Sequence, residues 1–113
     1  MDFNFSEDQH QLRDAVAKWV EKAYAFERRR EIVAAGGYSS AAYTELAELG
    51  LTGLALPEDM GGLGMGPVEA MVVMEELGRG MVLEPLAQSI MAGVVLSHHA
   101  TPELQQAWGP KLA

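Results

Sequence analysis

Apolar residues recur at helical spacing through most of this chain, and the spacing fails where glycine, proline or serine stands. Leu12, Val16, Trp19, Val20 and Ala23 fall on one face of a helix, and Ser6 followed by Gln9 has the spacing of a capping box that starts it. The pattern weakens from Tyr24 to Phe26, resumes through Ile32 and Val33, and stops at Gly36-Gly37, where a left-handed cap costs no side-chain clash. A break followed by a second helix is predicted there. Ser39 or Ser40 is placed to cap a third helix, which carries Tyr43, Leu46, Ala47 and Leu49 and ends at Gly50.

Leu51 to Leu56 is short and apolar but holds Gly53 and Ala55 and only one β-branched residue, Thr52, so extended coil packed under helices is expected rather than a strand. From Pro57 to Gly66 four glycines and no periodicity indicate a loop, and Pro67 suits the first position of the next helix. That helix carries Val68, Met71, Val72, Glu75 and Glu76 and runs to Gly78 or Gly80. Another begins near Pro85 and runs through Leu86, Ile90, Met91, Val94, Val95 and Leu96, apolar nearly all round until Ser97-His98-His99, so it must be covered on most sides. Thr101-Pro102 restarts a last helix with Leu104 and Trp108 inward, and Pro110 closes the chain. The sum is an all-α domain of about five or six helices, a bundle or orthogonal array.

At 113 residues the chain suits one domain spanning 1–113, able to bury roughly two-thirds of its unfolded surface. It has no cysteine, hence no disulfide scaffold, thiolate metal site or thiol nucleophile. The Met1-Asp2 start shows no basic and apolar leader, and no stretch approaches the ~18 apolar residues of a membrane span, so a soluble, unexported, cytoplasmic protein is expected. Eight basic residues against sixteen acidic ones give a net charge of −8, which disfavours nucleic acid and anionic membrane surfaces as partners. Arg28-Arg29-Arg30 sits between Glu27 and Glu31 and reads as a solvated face rather than a phosphate clamp.

Several constellations resemble chemistry and read better as structure. Gly61-Gly62-Leu63-Gly64-Met65-Gly66 invites a phosphate-loop interpretation, but Pro67 stands where Gly-x-Gly-x-x-Gly needs its third glycine, no Gly-Lys-Ser/Thr follows, and Glu58, Asp59 and Glu69 add negative charge. Glu7 and His10 have the Glu-x-x-His spacing of di-iron bundles without a second copy, and the adjacent His98 and His99 point about 100° apart on a helix and cannot grip one ion together. No metal site is expected. Glu75-Glu76 is the only carboxylate pair in an apolar helix, where burial favours a general base; neighbouring positions face different ways, so one is expected to meet solvent and the other to cap or to pair with an arginine such as Arg79. Met71, Met74, Met81 and Met91, among seven methionines, read as core filling ahead of a pocket for a flexible apolar ligand.

Taken together, the helix ending at Gly50, the short apolar run closed by Pro57, the Gly61-Gly62-Leu63-Gly64 turn and the helix ending in Glu75-Glu76-Leu77-Gly78-Arg79 resemble the N-terminal domain of flavin-dependent acyl-CoA dehydrogenases. The likeness runs from Phe5-Ser6-Glu7-Asp8-Gln9 to Gln105-Gln106-Ala107-Trp108 and on to Leu112. It implies an N-terminal helical domain that packs against a middle β-barrel domain and a C-terminal four-helix bundle, both absent from these 113 residues. The family oxidises the Cα–Cβ bond of an acyl thioester to the enoyl-CoA: a glutamate takes the α-proton and FAD, held mainly by the other two domains, accepts the β-hydride.

That glutamate commonly lies in the C-terminal domain, so the resemblance assigns no catalytic residue to this chain, which is expected to be silent alone. What it does assign is part of an acyl-pocket wall, matched by position to Pro85, Leu86, Ser89, Ile90 and Gly93. Leu83-Glu84-Pro85 looks more like bacterial subgroups, pimeloyl-CoA-type and steroid side-chain dehydrogenases included, than like straight-chain fatty acyl enzymes. The implied partners are an acyl-CoA, an electron-transfer flavoprotein or similar acceptor, and the missing domains in the same chain or a second subunit of a homo- or hetero-oligomer. Gly61 and Gly62 are expected to let their loop pass close to a neighbouring domain, and the helix from Pro85 to Leu96 to leave an exposed apolar patch above ~400 Å². The rival readings are a stand-alone helical interaction module and a small apolar-ligand carrier, neither using flavin.

Overall fold

The computed structural model describes residues 3–113, and the Met1-Asp2 start lies outside them. The fold is all-α: helices α1 (Glu7–Ala23), α2 (Phe26–Ala34), α3 (Ser40–Glu48), α4 (Pro67–Arg79), α5 (Leu86–His99) and α6 (Pro102–Leu112), with 3-10 turns at Leu51–Gly53 and Glu58–Met60 and no strand among the described residues. The helix boundaries follow local chemistry. Ser6 accepts from the Gln9 N–H at 3.2 Å while the Gln9 side chain accepts from the Ser6 N–H at 2.9 Å, the reciprocal capping box. Ser39 Oγ caps α3 through the Ala42 N–H, and Gly50, at φ +85°, ends it.

The chain forms two compact units, residues 1–38 with 71–83 and residues 39–70 with 84–113. In the first, Val16, Tyr24, Ile32, Val72, Val73 and Leu77 are buried. The Trp19 and Tyr24 rings lie 5.3 Å apart, and the Tyr24 hydroxyl accepts from the Leu83 N–H. Arg13 donates to Glu75 at 3.2 Å, and Glu76 lies within 3.8 Å of Arg13 and 3.4 Å of Arg79. The Glu75 side chain is half exposed and that of Glu76 6% exposed, the division expected of this pair.

In the second unit α5 packs against the Leu51–Gly53 turn and α6, and Ala42, Leu46, Leu51, Leu54, Leu56, Leu86 and Ile90 form the core. Each fully buried leucine contributes about 1.5–3 kcal/mol.

Several expectations are corrected. Leu51 to Leu56 is not extended: Leu51–Gly53 forms a 3-10 turn, with the Leu54 N–H bonded to Leu51 O, though the run is buried as expected. Leu104 and Trp108 do not point inward; they are 48% and 56% exposed. α6 buries Gly109 instead, where a Cβ would stand 3.0 Å from Met60 Sδ, so the helix packs through its smallest residue. Pro110 lies inside α6 rather than closing it, within the last turn, where its missing N–H removes one hydrogen bond of the helix ladder. Val33 is exposed while Ile32 is buried. Met71, Met74, Met81 and Met91 are not core filling, being 38–67% exposed.

Arg28 and Arg29 are not simply solvated: Arg28 donates to Ala23 O at 2.8 Å and Arg29 to Gly80 O at 2.7 Å, leaving Arg30 exposed. Gly62 makes a close approach inside its own unit, to Leu56 and Gly53. Helix α5 is covered on one side, through Leu86, Ser89, Ile90 and Gly93, and leaves Met91, Val94 and Val95 exposed at 67%, 41% and 58%.

Candidate functional site

Helix α5 is pinned at its first turn. Tyr43 OH and Ser89 Oγ share a short hydrogen bond, and Ser89 Oγ also reaches Pro85 O at 3.4 Å. Glu84, 5% exposed, accepts the Ser39 N–H through Oε2 at 3.0 Å and so adds a carboxylate to the N-terminus of α3, where the helix dipole favours negative charge. Its Oε1 has no partner among the described residues. One turn further on Gly93 is buried against Leu56 and Leu112; a Cβ there would sit 3.4 Å from Leu56 Cγ and 3.8 Å from Leu112 Cδ2, ordinary contact distances, so the packing does not demand glycine.

A cleft of about 330 Å³ lies beside this helix. One wall is the α5 stripe Ile90, Val94 and His98, spaced four residues apart and therefore on one face. The other is Ala55 together with Met65, Gly66, Pro67 and Ala70, the end of the glycine loop and the first turn of α4. Pro67 fixes the chain entry to α4, and the Gly66 N–H is held by Glu69 Oε2 at 3.2 Å.

The five residues matched to an acyl-pocket wall are distributed unequally. Leu86, Ser89 and Gly93 are buried in their unit, Ile90 borders the cleft, and Pro85 is exposed at the start of the helix. Sequence reasoning did not find Tyr43, Glu84 or Met65. The first two act through partners 45 and 46 positions away, which no local spacing marks.

The glycine loop spends its amides internally. The N–H groups of Gly61, Gly62, Leu63, Gly64, Met65 and Gly66 donate in turn to Glu58 O, Pro57 O, Gly53 O, Leu56 O, Leu54 O and Glu69 Oε2, at 2.8–3.2 Å. A phosphate cradle needs such groups aimed outward, so this loop does not fit the pyrophosphate of a dinucleotide such as FAD. Glu7 and His10 are exposed, the His10 ring meeting Phe5 edge-on. No group of three or more acidic or histidine side chains among the described residues is placed to hold a metal ion, and no helix among them is long and apolar enough to cross a membrane.

The geometry defines an all-α domain with an apolar cleft along one pinned helix. The family described as acyl-CoA dehydrogenase, N-terminal domain, matches residues 6–113, and the chain belongs to that family. Acyl-CoA dehydrogenase FadE12 of Mycobacterium tuberculosis is 32% identical over 111 residues, which are 96% of this chain and 28% of that protein. Acyl-CoA dehydrogenase IpdE2 of the same species is 34% identical over 101 residues, 88% of this chain and 32% of the relative. Acryloyl-CoA reductase (NADH) of Anaerotignum propionicum is 27% identical over 117 residues, 99% and 29% of the two chains. The chain therefore spans about a third or less of the length of these relatives.

Proposed function

We propose that residues 1–113 are the N-terminal domain of a flavin-dependent acyl-CoA dehydrogenase, which oxidises the Cα–Cβ bond of an acyl-CoA thioester to the enoyl-CoA in the cytoplasm. The observation that carries this reading is the family match over residues 6–113, nearly the whole chain. The share of the relatives' length that this chain spans supports a division of labour, with a middle β domain and a C-terminal helical domain elsewhere in the protein or on a second subunit. FAD belongs to those domains and serves as hydride acceptor; the internally bonded glycine loop supports leaving it there. Electrons pass on to an electron-transfer flavoprotein or similar acceptor.

The part assigned to this chain is a wall for the acyl tail, drawn from Pro85, Leu86, Ser89, Ile90 and Gly93. Ile90 offers the contact surface, while Leu86, Ser89 and Gly93 hold the helix from behind. An apolar wall excludes water and gives little angular preference, suiting a hydrocarbon tail. No side chain here is assigned a proton-transfer role.

Purification of the native protein tests the proposal. Expected is a polypeptide longer than 113 residues, or a complex of this chain with a flavoprotein, yellow and able to reduce a dye with acyl-CoA as electron donor. A native 113-residue monomer without a flavoprotein companion overturns it. If that monomer binds free fatty acid, the cleft makes it a carrier.

A further inference from the structure

Helix α5 begins without a side-chain cap, because Pro85 stands at the N-cap position and offers no hydrogen bond to the turn that follows. The polar ties at this end come from α3. Ser39, the N-cap of α3, and Tyr43 stand four positions apart and so on one side of its first turn. The Ser39 N–H donates to Glu84 Oε2 at 3.0 Å, and the Tyr43 hydroxyl meets Ser89 Oγ. Both helices also pack on the Leu51–Gly53 turn, but burial of apolar surface is non-directional, whereas a hydrogen bond fixes distance and angle together. Glu84 precedes α5 and fixes where the chain enters it. Ser89 lies one turn further on, at the side of the helix, and a bond there opposes rotation of α5 about its axis.

The direction of the Tyr43–Ser89 bond follows from the proton count. A serine hydroxyl carries one proton, and Ser89 gives it to Pro85 O at 3.4 Å, so Tyr43 is the donor and Ser89 Oγ the acceptor. Ser89, 8% exposed, thus spends its hydroxyl inside its unit. The next residue, Ile90, is turned about 100° from it and lines the cleft together with Val94. A side-chain tip about 5 Å from the helix axis moves by about 1 Å for every ~10° of rotation, so an untied α5 displaces Ile90 by an amount that an acyl tail packed on it would feel.

We propose that Tyr43 is a positioning residue for the acyl wall: through Ser89 it sets the rotation of α5, and with it the place of Ile90 and Val94 in the cleft, without touching the acyl chain itself. The proposal rests on the acyl-CoA dehydrogenase reading. No proton-transfer role falls on this wall, so the effect of Tyr43 lies in how tightly the tail is held and not in the oxidation of the Cα–Cβ bond; an interaction of that kind moves KM and spares kcat.

The test uses the full-length enzyme with the longest and the shortest acyl-CoA that the wild type oxidises. Tyr43→Phe removes one oxygen and keeps the ring. It is expected to raise KM for the long substrate about fivefold, with kcat for that substrate, and both constants for the short one, within about twofold. Loss of fold stability alone would not separate the two substrates. Adding Ser89→Ala leaves neither partner of the bond unpaired but does not restore the tie, so KM for the long substrate is expected to stay raised. An unchanged KM in Tyr43→Phe, an equal rise for both substrates, or a return to the wild-type KM in the double variant overturns the proposal and leaves the dehydrogenase reading intact. Failure of the wild-type enzyme to oxidise any acyl-CoA overturns both.

Discussion

Gly62 is seated so tightly against Leu56 that a Cβ on the glycine would overlap the Leu56 carbonyl oxygen and Cβ. Its N–H is at the same time bonded to Pro57 O at 3.0 Å, so the backbone has no direction in which to yield. Gly62→Ala is therefore expected to cost on the order of 3 kcal/mol, by overpacking rather than torsional strain. Gly64 makes the comparison: at φ +62° it needs glycine for its backbone, but a Cβ there meets Glu58 Cγ at an ordinary 3.8 Å. Gly64→Ala should cost about 1–2 kcal/mol. Urea denaturation of the two variants checks the order; equal losses would show that steric contact at Gly62 is not the cause.

A similar contrast separates Gly80 from Met81. A Cβ on Gly80 would collide with Val20 Cγ1, and valine, branched at Cβ, has little rotamer freedom to move away. Gly80→Ala should destabilise by about 1–3 kcal/mol, and adding Val20→Ala should recover part of the loss. Met81 adopts φ +50°, left-handed territory for a residue with a side chain, and is 64% exposed with little packing to lose. After the extra unfolded-state freedom of glycine is subtracted, Met81→Gly should stabilise by about 0.5–1 kcal/mol. Thermal melts read both signs.

These positions show what a single sequence makes legible. Helix ends are written locally: Ser6 with Gln9, the glycine at position 50 and Pro67 mark boundaries through atoms three or four residues apart, and the structure places the boundaries there. Packing partners are not written locally. Trp108 reads as buried because it is large and apolar, yet α6 turns Gly109 inward because Met60, distant in sequence, fills the space a side chain would take. The same limit applies to the site. Ile90 and its helix follow from periodicity and family likeness, whereas the Tyr43–Ser89 bond, the Glu84–Ser39 bond and the cleft wall from Met65 exist only once distant segments meet. Leu51–Gly53 was ambiguous for a further reason, since a short apolar run fits any buried conformation and carries no period to separate them.

Glu75 and Glu76 are neighbours in sequence with unequal weight in stability. Glu75 pairs with Arg13 at a half-exposed position, where solvent screening leaves an ion pair about 0–1 kcal/mol. Glu76 is nearly buried between the Arg13 and Arg79 guanidinium groups, and the Arg13 Nε is itself buried and has no hydrogen-bond partner among the described residues. Removing the Glu76 carboxylate takes away the anion facing the buried Nε and leaves that cation to Glu75 alone. Glu76→Ala should cost about 2 kcal/mol, below the full penalty for a buried pair because both arginines keep some access to water, and Glu75→Ala less than about 1 kcal/mol. A double-mutant cycle with Arg13→Ala is expected to show stronger coupling to Glu76 than to Glu75.

The outer surface of α5 makes the last prediction. Met91, Val94 and Val95 are 41–67% exposed on one helix, and Leu104 and Trp108 on α6 are exposed at 48% and 56%. Scattered apolar residues are normal on any surface, but apolar side chains clustered along one element mark a face made for contact. With no neighbour present, copies of the 113-residue chain should cover this face with one another, giving concentration-dependent association in sedimentation equilibrium. Met91→Lys with Val95→Glu removes two apolar contacts, each contributing about 1.5 kcal/mol or more when fully buried, and should weaken association by about tenfold or more. The charges project from exposed positions, so the melting temperature should hold. A chain that stays monomeric at millimolar concentration, with or without these substitutions, would show that the exposed face does not drive self-association.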